Sequence, residues 1–256
     1  MWNKIFGFLF LLSLPASAAL AQSTAVLDQS VTQQAVARPV LLLLVLAGLS
    51  LVPFVVMMTT SFVKIAVVLA LVRNALGTQQ IPPNPIVTGL AMILTIYIMI
   101  PVGQQIYQEN SDIIHKGTTQ PIMSEASVNV LLEGVKKAKE PIREFLFKHA
   151  HEKERALFFG LSKKMRPAQF REEVGDKDFI ILIPAFVISE LTEAFQIGFI
   201  IFIPFLVIDM VVTNVLLSLG MFQISPITVS LPFKLLLFVL VDGWHLIAKG
   251  LIMSYM

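Results

Sequence analysis

Six charged residues interrupt long apolar runs of the sequence, and these side chains have the most capacity for chemistry: Lys64, Glu190, Glu193, Asp209, Lys234 and Asp242. On insertion scales, one charge at the centre of a bilayer costs about 2.5–3.5 kcal/mol. Each of the six must therefore be paired with an opposite charge or reached by water. Two interpretations follow: structural ion pairs between packed helices, or a polar channel or proton path that some of them line.

Enzyme chemistry has little support in the sequence. Asp209 and Asp242 are candidates for an intramembrane aspartyl protease dyad, but neither follows a glycine or adjoins a tyrosine. The motifs of zinc proteases, serine hydrolases, P-loop enzymes and dinucleotide-binding enzymes are missing. His149 and His151 are separated by one residue in a predicted helix, so they point to different faces and make a poor metal pair. We therefore expect no catalytic, metal-binding or cofactor-binding residues.

The composition indicates a chain that needs lipid, or a protein partner that replaces lipid. Hydrophobic residues make up 56% of the sequence and charged residues only 14%, whereas about a quarter of an ordinary soluble domain is charged. The net charge of +2 is too small for a phosphate-binding surface, so nucleic acid is not an expected partner. The chain has no cysteine, which excludes disulfides and thiolate chemistry.

The N-terminus has the pattern of a signal peptide. Lys4 precedes an apolar run over residues 5–14, and small residues lead to an Ala19-Leu20-Ala21 site before Gln22. We predict a signal peptide over residues 1–21, followed by a polar segment over residues 22–39. The alternative is an uncleaved membrane anchor, although the apolar run is shorter than the ~20 residues that a membrane span requires.

The rest of the sequence predicts an all-α, integral membrane-type protein built of two long helical hairpins. The first hairpin covers residues 40–103, and its tip lies at residues 73–85, where Gly77 and three prolines end the first arm. The second hairpin covers residues 179–256 and turns at residues 219–226.

A charged segment, residues 104–178, separates the two hairpins. It holds 13 of the 19 basic and 12 of the 17 acidic residues, well mixed in sign, so we expect solvated amphipathic helices there. Pro141, Gly160 and Pro167 are predicted to kink or break these helices. Cleavage of the signal peptide places this segment outside the cytoplasm, in the periplasm.

Two stretches of the sequence resemble the FliP/SctR proteins of flagellar and injectisome type III secretion. The first is TSFVKIAVVLALVRNALGTQQIPPN, over residues 60–84. The second hairpin contains ISELTEAFQIGFIIFIPFLVIDMVV over residues 188–212, LGM over residues 219–221 and LPFKLLLFVLVDGWHL over residues 231–246. The resemblance extends from about residue 41 to the end of the sequence and is weakest in the charged segment.

The resemblance implies a pore-forming subunit of a secretion export gate in the bacterial inner membrane. Such subunits form a homo-oligomer with two smaller hydrophobic companions, one FliQ/SctS-like and one FliR/SctT-like, and conduct unfolded proteins. The family's gates are also lifted largely out of the membrane plane. The resemblance therefore implies that neighbouring subunits, instead of lipid, bury the apolar arms.

By the same resemblance, residues 219–226 form a gating loop that closes the pore. Relatives often have consecutive methionines there, and a flexible thioether suits a deformable seal. This chain departs from that pattern, so the predicted gasket is Met221 with Phe222 and Ile224. The alternative is a plain turn between two helices.

The resemblance also makes Lys64 and Glu190 candidates for a charge pair between neighbouring subunits. Asp209, Lys234 and Asp242 are predicted as further buried charges.

The branch of the family and the functional class both have alternatives. Lys64 within SFVKI, the sequence ISP at residues 224–226 and the ending DGWHLIAKGLI resemble injectisome members, whereas a signal peptide is more typical of flagellar members. We favour the injectisome branch, with a flagellar gate as the alternative. A secondary transporter or ion channel is the rival class, but the hydropathy of the two halves shows no inverted repeat to support it.

Overall fold

The computed structural model describes residues 46–48, 50–78, 81–117, 125–167 and 175–256. Within these ranges every regular element is an α-helix, which confirms the predicted all-α class. The predicted signal peptide and polar segment, and the first residues of the first hairpin, lie outside the described residues. The chain divides into two units, residues 1–55 and 56–256, and in the first of these residues 46–48 and 50–55 are helical.

The helices of the second unit run in the following order: α1 Phe62–Ala75, α2 Asn84–Gly117, α3 Glu125–His149, α4 Glu152–Met165, α5 Phe179–Ser218, α6 Pro226–Leu240 and α7 Gly243–Met253. The long helix α5 is the centre of this unit, since it packs against α1, α3, α4 and α6. Helix α2 packs against α1 and α3.

The tip of the first hairpin has the form that its sequence predicts. Helix α1 ends because Gly77 takes the left-handed conformation, with a φ of +75°, and its N–H bonds to the carbonyl of Asn74 at 3.1 Å. Arg73 donates a hydrogen bond to the side chain of Asn84, the first residue of α2, and so joins the two arms. Helix α2 then continues to Gly117, beyond the predicted hairpin end at residue 103.

The charged segment is more regular than predicted. Pro141 lies inside α3 and Gly160 lies inside α4, and neither breaks its helix. Phe145 and Leu146, one turn after Pro141, are buried against α5, and this packing holds α3 together across the hydrogen bond that proline cannot make. Pro167 does follow the end of α4.

Two apolar cores hold the second unit together. The larger one joins α1, α2, α5, α6 and α7, and the smaller one joins α3, the first turns of α5 and Tyr255. Gly198 allows α1 to approach α5, because a Cβ atom there would lie 2.3 Å from Cδ1 of Leu71. The close contact of these two helices sets the distance between the charged side chains that they carry.

The second arm of the second hairpin is broken, although the sequence predicts one apolar arm. Helices α6 and α7 meet at an angle of 60°, and Asp242 between them has a φ of +52°. Helix α5 and residues Asn84–Ser111 of α2 are each long and apolar enough to cross a membrane. Up to four spans result if each bent helix pair, Leu46–Thr59 with α1 and α6 with α7, counts as one.

Candidate functional site

The first candidate site is an ion cluster between α1 and α5. The Nζ atom of Lys64 lies 2.6 Å from Oε2 of Glu193 and 3.3 Å from Oε2 of Glu190. Glu190 and Glu193 are three residues apart, so the helix presents both carboxylates on one face. The side chains of Lys64 and Glu190 are only 1% and 0% exposed, whereas that of Glu193 is 28% exposed.

Two further residues complete this cluster from distant parts of the chain. Nε2 of His151 lies 2.6 Å from Oε1 of Glu193, and the hydroxyl of Tyr255 donates a hydrogen bond to Oε2 of Glu190. The ammonium group of Lys64 also lies 4.1 Å from the centre of the Tyr255 ring, within the range of a cation–π contact. Lys64, Glu190, Glu193, His151 and Tyr255 are called the Lys64 cluster below.

The Lys64 cluster fastens the start of α4 to α5. The backbone N–H of His151 donates to Oγ of Ser189 at 2.9 Å, and Ser189 in turn donates to the carbonyl of Ala185 at 2.8 Å. The imidazole of His151 also contacts the carboxylate of Glu193. Two interactions therefore hold α4 to α5: a hydrogen bond between neutral groups and a contact between an imidazole and a carboxylate. Both contacts lie within three residues of the buried Glu190.

The pairing of Lys64 with Glu190 differs from the sequence prediction in one respect. The prediction placed the pair between neighbouring subunits, whereas the structure forms it within one chain, because α1 and α5 of the same chain are in close contact. The prediction also missed that Glu193 is the nearer partner of Lys64. The three-residue spacing of the two glutamates was the available signal for Glu193, whereas His151 and Tyr255 carry no local signal.

A histidine beside the cluster remains uncharged at neutral pH. The His149 ring lies 4.8 Å from the Phe145 ring and 5.0 Å from the Tyr255 ring, between centroids. Burial lowers the pKa of His149 to about 4, and the nearby charges of Lys148 and Lys64 add to this effect. Among the residues that the structure describes, no group of three His, Cys, Asp or Glu side chains is arranged to hold a metal ion.

A second ion pair joins α5 to α6. Nζ of Lys234 lies 2.6 Å from Oδ2 of Asp209, and the hydroxyl of Ser230 donates to Oδ1 of the same carboxylate at 2.6 Å. Lys234 also reaches the carbonyl of Ala75, at 3.4 Å, near the end of α1. Lys234 is buried and Asp209 is one-third exposed. The cation is thus fixed among three helices, and the carboxylate has the freer position.

Asp242 is not a buried charge, and this corrects the prediction. It lies exposed at the break between α6 and α7, where its short polar side chain tolerates the left-handed backbone. Its supposed dyad partner, Asp209, is engaged by Lys234 and Ser230 instead. The geometry therefore gives the two aspartates separate structural positions.

The predicted gating loop forms a sharp, exposed turn after α5. Gly220 has a φ of +71°, and the N–H of Met221 bonds to the carbonyl of Leu216 at 2.9 Å, which is the hydrogen bond of a glycine-ended helix. In the isolated chain Met221 and Ile224 are each 45% exposed, and Phe222 is 77% exposed. The loop thus presents three apolar side chains that have little cover from their own chain.

These features define the class of the molecule. It is an all-α, membrane-type protein whose buried charges are paired and whose long helices expose apolar side chains. A helix that is apolar on all sides belongs in lipid or in the interior of a larger assembly.

The chain belongs to the FliP family, which matches residues 45–251. It is 46% identical over 219 residues to the Yop proteins translocation protein R of Yersinia pestis, covering 84% of this chain and 95% of that protein. It is also 46% identical over 220 residues to the flagellar biosynthetic protein FliP of Bacillus subtilis, covering 86% and 93%. The hypersensitivity response secretion protein HrcR of Ralstonia nicotianae is 41% identical over 215 residues, covering 84% and 96%.

These relatives are export-gate proteins of type III secretion. Membership confirms the resemblance found in the two hairpins. It makes the chain a structural, membrane-embedded component of a secretion apparatus.

Proposed function

We propose that this chain is a pore-forming subunit of a type III secretion export gate, through which unfolded proteins cross the bacterial inner membrane. In this proposal several copies assemble with two smaller hydrophobic companions, one FliQ/SctS-like and one FliR/SctT-like. The proposal rests on one observation: the second hairpin exposes a large apolar surface, which includes the gating loop at its turn.

The bare surface lies on the C-terminal half of α5. From residue 195 onward this helix exposes large apolar side chains on the faces that α1 and α6 leave uncovered: Phe195, Phe199, Ile200, Phe202, Ile203, Leu206, Val207, Met210, Val211, Val215 and Leu217. Its N-terminal half, in contrast, is covered by α1, α3 and α4. A helix whose own chain covers only one of its apolar faces fits a ring in which neighbouring copies and companions pack against the other faces.

The gating loop fits a seal on the axis of such a ring. Gly220 ends α5 abruptly, so Met221 and Phe222 follow directly after the long apolar arm. In a symmetric ring, the same loop from each copy meets the others at the axis. One methionine and two larger apolar residues then supply a deformable apolar plug.

The seal can be tested by the conductance of the assembled gate in planar bilayers. Replacing Met221 and Phe222 together by alanine should raise the resting conductance, because the plug loses most of its volume while the helix contacts remain. The matched control is Ile81→Ala, since Ile81 is 72% exposed at the tip of the other hairpin. A resting conductance equal to that of the control would refute the assignment of the gasket.

The assembly can be tested by native mass spectrometry of the full chain co-expressed with its companion subunits. We expect several copies of this chain bound to the two small companions. A monomer that binds a small solute would favour the secondary-transporter class instead, because that class needs a complete substrate site within one subunit.

We assign the chain to the injectisome branch and place the charged segment in the periplasm. Injectisome-type names are the more common among the relatives, although the flagellar FliP of Bacillus subtilis is equally similar to the chain. Complementation separates the branches: the gene should restore secretion in an injectisome mutant and leave a flagellar mutant non-motile. Restored motility with no secretion would select the flagellar alternative.

The location of the charged segment can be tested by chemical labelling. The chain has no native cysteine, so Lys153→Cys on the exposed start of α4 offers a single reactive thiol. A membrane-impermeant maleimide should label it in intact spheroplasts. Labelling only after lysis would place the segment in the cytoplasm, and the mass of the same protein would reveal whether residues 1–21 have been removed.

A further inference from the structure

The Lys64 cluster contains one ammonium group and two carboxyl groups. Lys64 lies within 3.3 Å of a carboxylate oxygen of both Glu190 and Glu193. One ammonium group neutralises one of these carboxylates, and a second buried negative charge without a partner is strongly destabilising. With both glutamates ionised, the cluster therefore needs one more positive charge.

The two glutamates differ in how well each can hold its negative charge. Glu193 is 28% exposed and has a partner on each oxygen, Lys64 on Oε2 and His151 on Oε1. Glu190 is 0% exposed, and within the described ranges its Oε1 has no hydrogen-bond partner. An ionised carboxylate needs donors at both oxygens, so burial favours the neutral acid at Glu190 and the anion at Glu193.

We propose that the Lys64 cluster is a binding site for a single exchangeable proton. The proton is shared between the imidazole of His151 at the exposed end and the carboxyl group of Glu190 at the buried end. Glu193 and Lys64 lie between these two positions and connect them through contacts of 2.6 Å, 2.6 Å and 3.3 Å. With the proton bound, the cluster is neutral, since two cations then face two anions or one cation faces one anion.

The other charged and titratable groups around the cluster leave these two positions as the ones that exchange the proton. Lys64 comes from α1 and the two glutamates from α5, while the end of α3 contributes Lys148 and His149. Burial lowers the pKa of His149 to about 4, so its ring is uncharged at neutral pH. Burial and the neighbouring Glu190 charge raise the pKa of Tyr255, so its hydroxyl stays a hydrogen-bond donor.

Solvent adjoins the cluster at His151, and a cavity adjoins it at Tyr255. The His151 side chain is 43% exposed, so the outer end opens directly to solvent. On the other side, a cavity of about 230 Å³ between α2 and α3 is lined by Glu144, Lys148, His149 and Tyr255. Tyr255 lines this cavity, and its hydroxyl donates a hydrogen bond to Glu190. The buried carboxyl group thus has a polar neighbour that also lines the cavity.

This site goes beyond the proposed pore function and can be tested without it. The experiment is pH-difference infrared spectroscopy of the purified full chain in detergent, which detects the carbonyl band of a protonated carboxyl. We expect one such band that persists at neutral pH and is lost in Glu190→Gln. The matched control is Glu133→Gln, which removes an exposed carboxylate of α3 and should leave the band in place.

The second variant tests the sharing of the proton. His151→Gln keeps a hydrogen-bond donor for Glu193 but removes the outer position, so the proton moves to Glu190. At a pH where the cluster holds one proton, the acid band should then rise, by about twofold if the proton is shared equally in the original chain. His151 lies at the surface, so this variant decides the question even if Glu190→Gln does not fold. Absence of the acid band, or a band that His151→Gln leaves unchanged, would overturn the proposal.

Discussion

Replacing Lys64 by methionine is the sharpest test of the energetics of the second unit. Methionine keeps most of the length and the apolar stem of lysine, so the main loss is the ammonium group. That loss leaves Glu190, at 0% exposure, with the Tyr255 hydroxyl as its remaining partner within the described ranges. Removing one member of a buried ion pair typically costs about 3–5 kcal/mol, and we expect a loss of that size.

The assay is equilibrium unfolding in mixed micelles, followed by the loss of helical circular dichroism. Lys153→Met is the matched control, because Lys153 is exposed on α4 and its replacement should change the free energy of unfolding by less than about 0.5 kcal/mol. Adding Glu190→Gln to Lys64→Met should restore part of the loss, since one of the two carboxyl groups that lost the lysine charge is then gone. If Lys64→Met lowers the free energy of unfolding no more than Lys153→Met does, the buried ion pair does not stabilise the protein by the expected amount.

Two further predictions concern a glycine and a histidine. Gly243→Ala should lower the free energy of unfolding by about 1–3 kcal/mol, because the new Cβ would lie 2.3 Å from the buried ring of Phe238. Gly250→Ala on the same helix meets no atom within 4 Å and should stabilise it by up to about 1 kcal/mol, so equal melting shifts for the two variants would contradict the packing argument. His149 binds a proton near pH 6.5 when unfolded but near pH 4 when folded, so stability should fall as the pH is lowered through this window. His149→Gln should flatten that fall in urea titrations at several pH values, and an unchanged slope would show that His149 is not its source.

The helix ends at Gly77 and Gly220 could be predicted from the sequence because their signals are local. An apolar run of bilayer length, a left-handed glycine at residue 77 and a glycine before Met221 each act within a few residues. The break at Asp242 was missed because the surrounding apolar residues hid a single Asp-Gly dipeptide, which is a known turn signal. Pro141 was overestimated as a helix breaker, because its effect is outweighed by tertiary packing of the following turn.

The charge network was predicted only in part, for a different reason. The composition alone showed that charges in apolar runs need partners, but not which ones. Lys64 and Glu193 are 129 residues apart in the sequence, and His151 and Glu193 are 42 apart. Such contacts depend on how α1, α4 and α5 pack together, and a single sequence does not contain that information in any local pattern.

The length of α5 gives its two ion pairs different surroundings. A helix rises about 1.5 Å per residue, so Asp209 lies about 15 Å along α5 from the gating loop and Glu190 lies about 43 Å from it. A hydrocarbon slab about 30 Å thick that begins at the loop has Asp209 at its midplane and Glu190 beyond its far face. In such a slab no water solvates the Asp209–Lys234 pair, so its charges depend on each other and on the hydrogen bond that Ser230 donates to Asp209. With that placement, the Lys64 cluster lies outside the hydrocarbon slab, where water reaches the exposed side chain of His151.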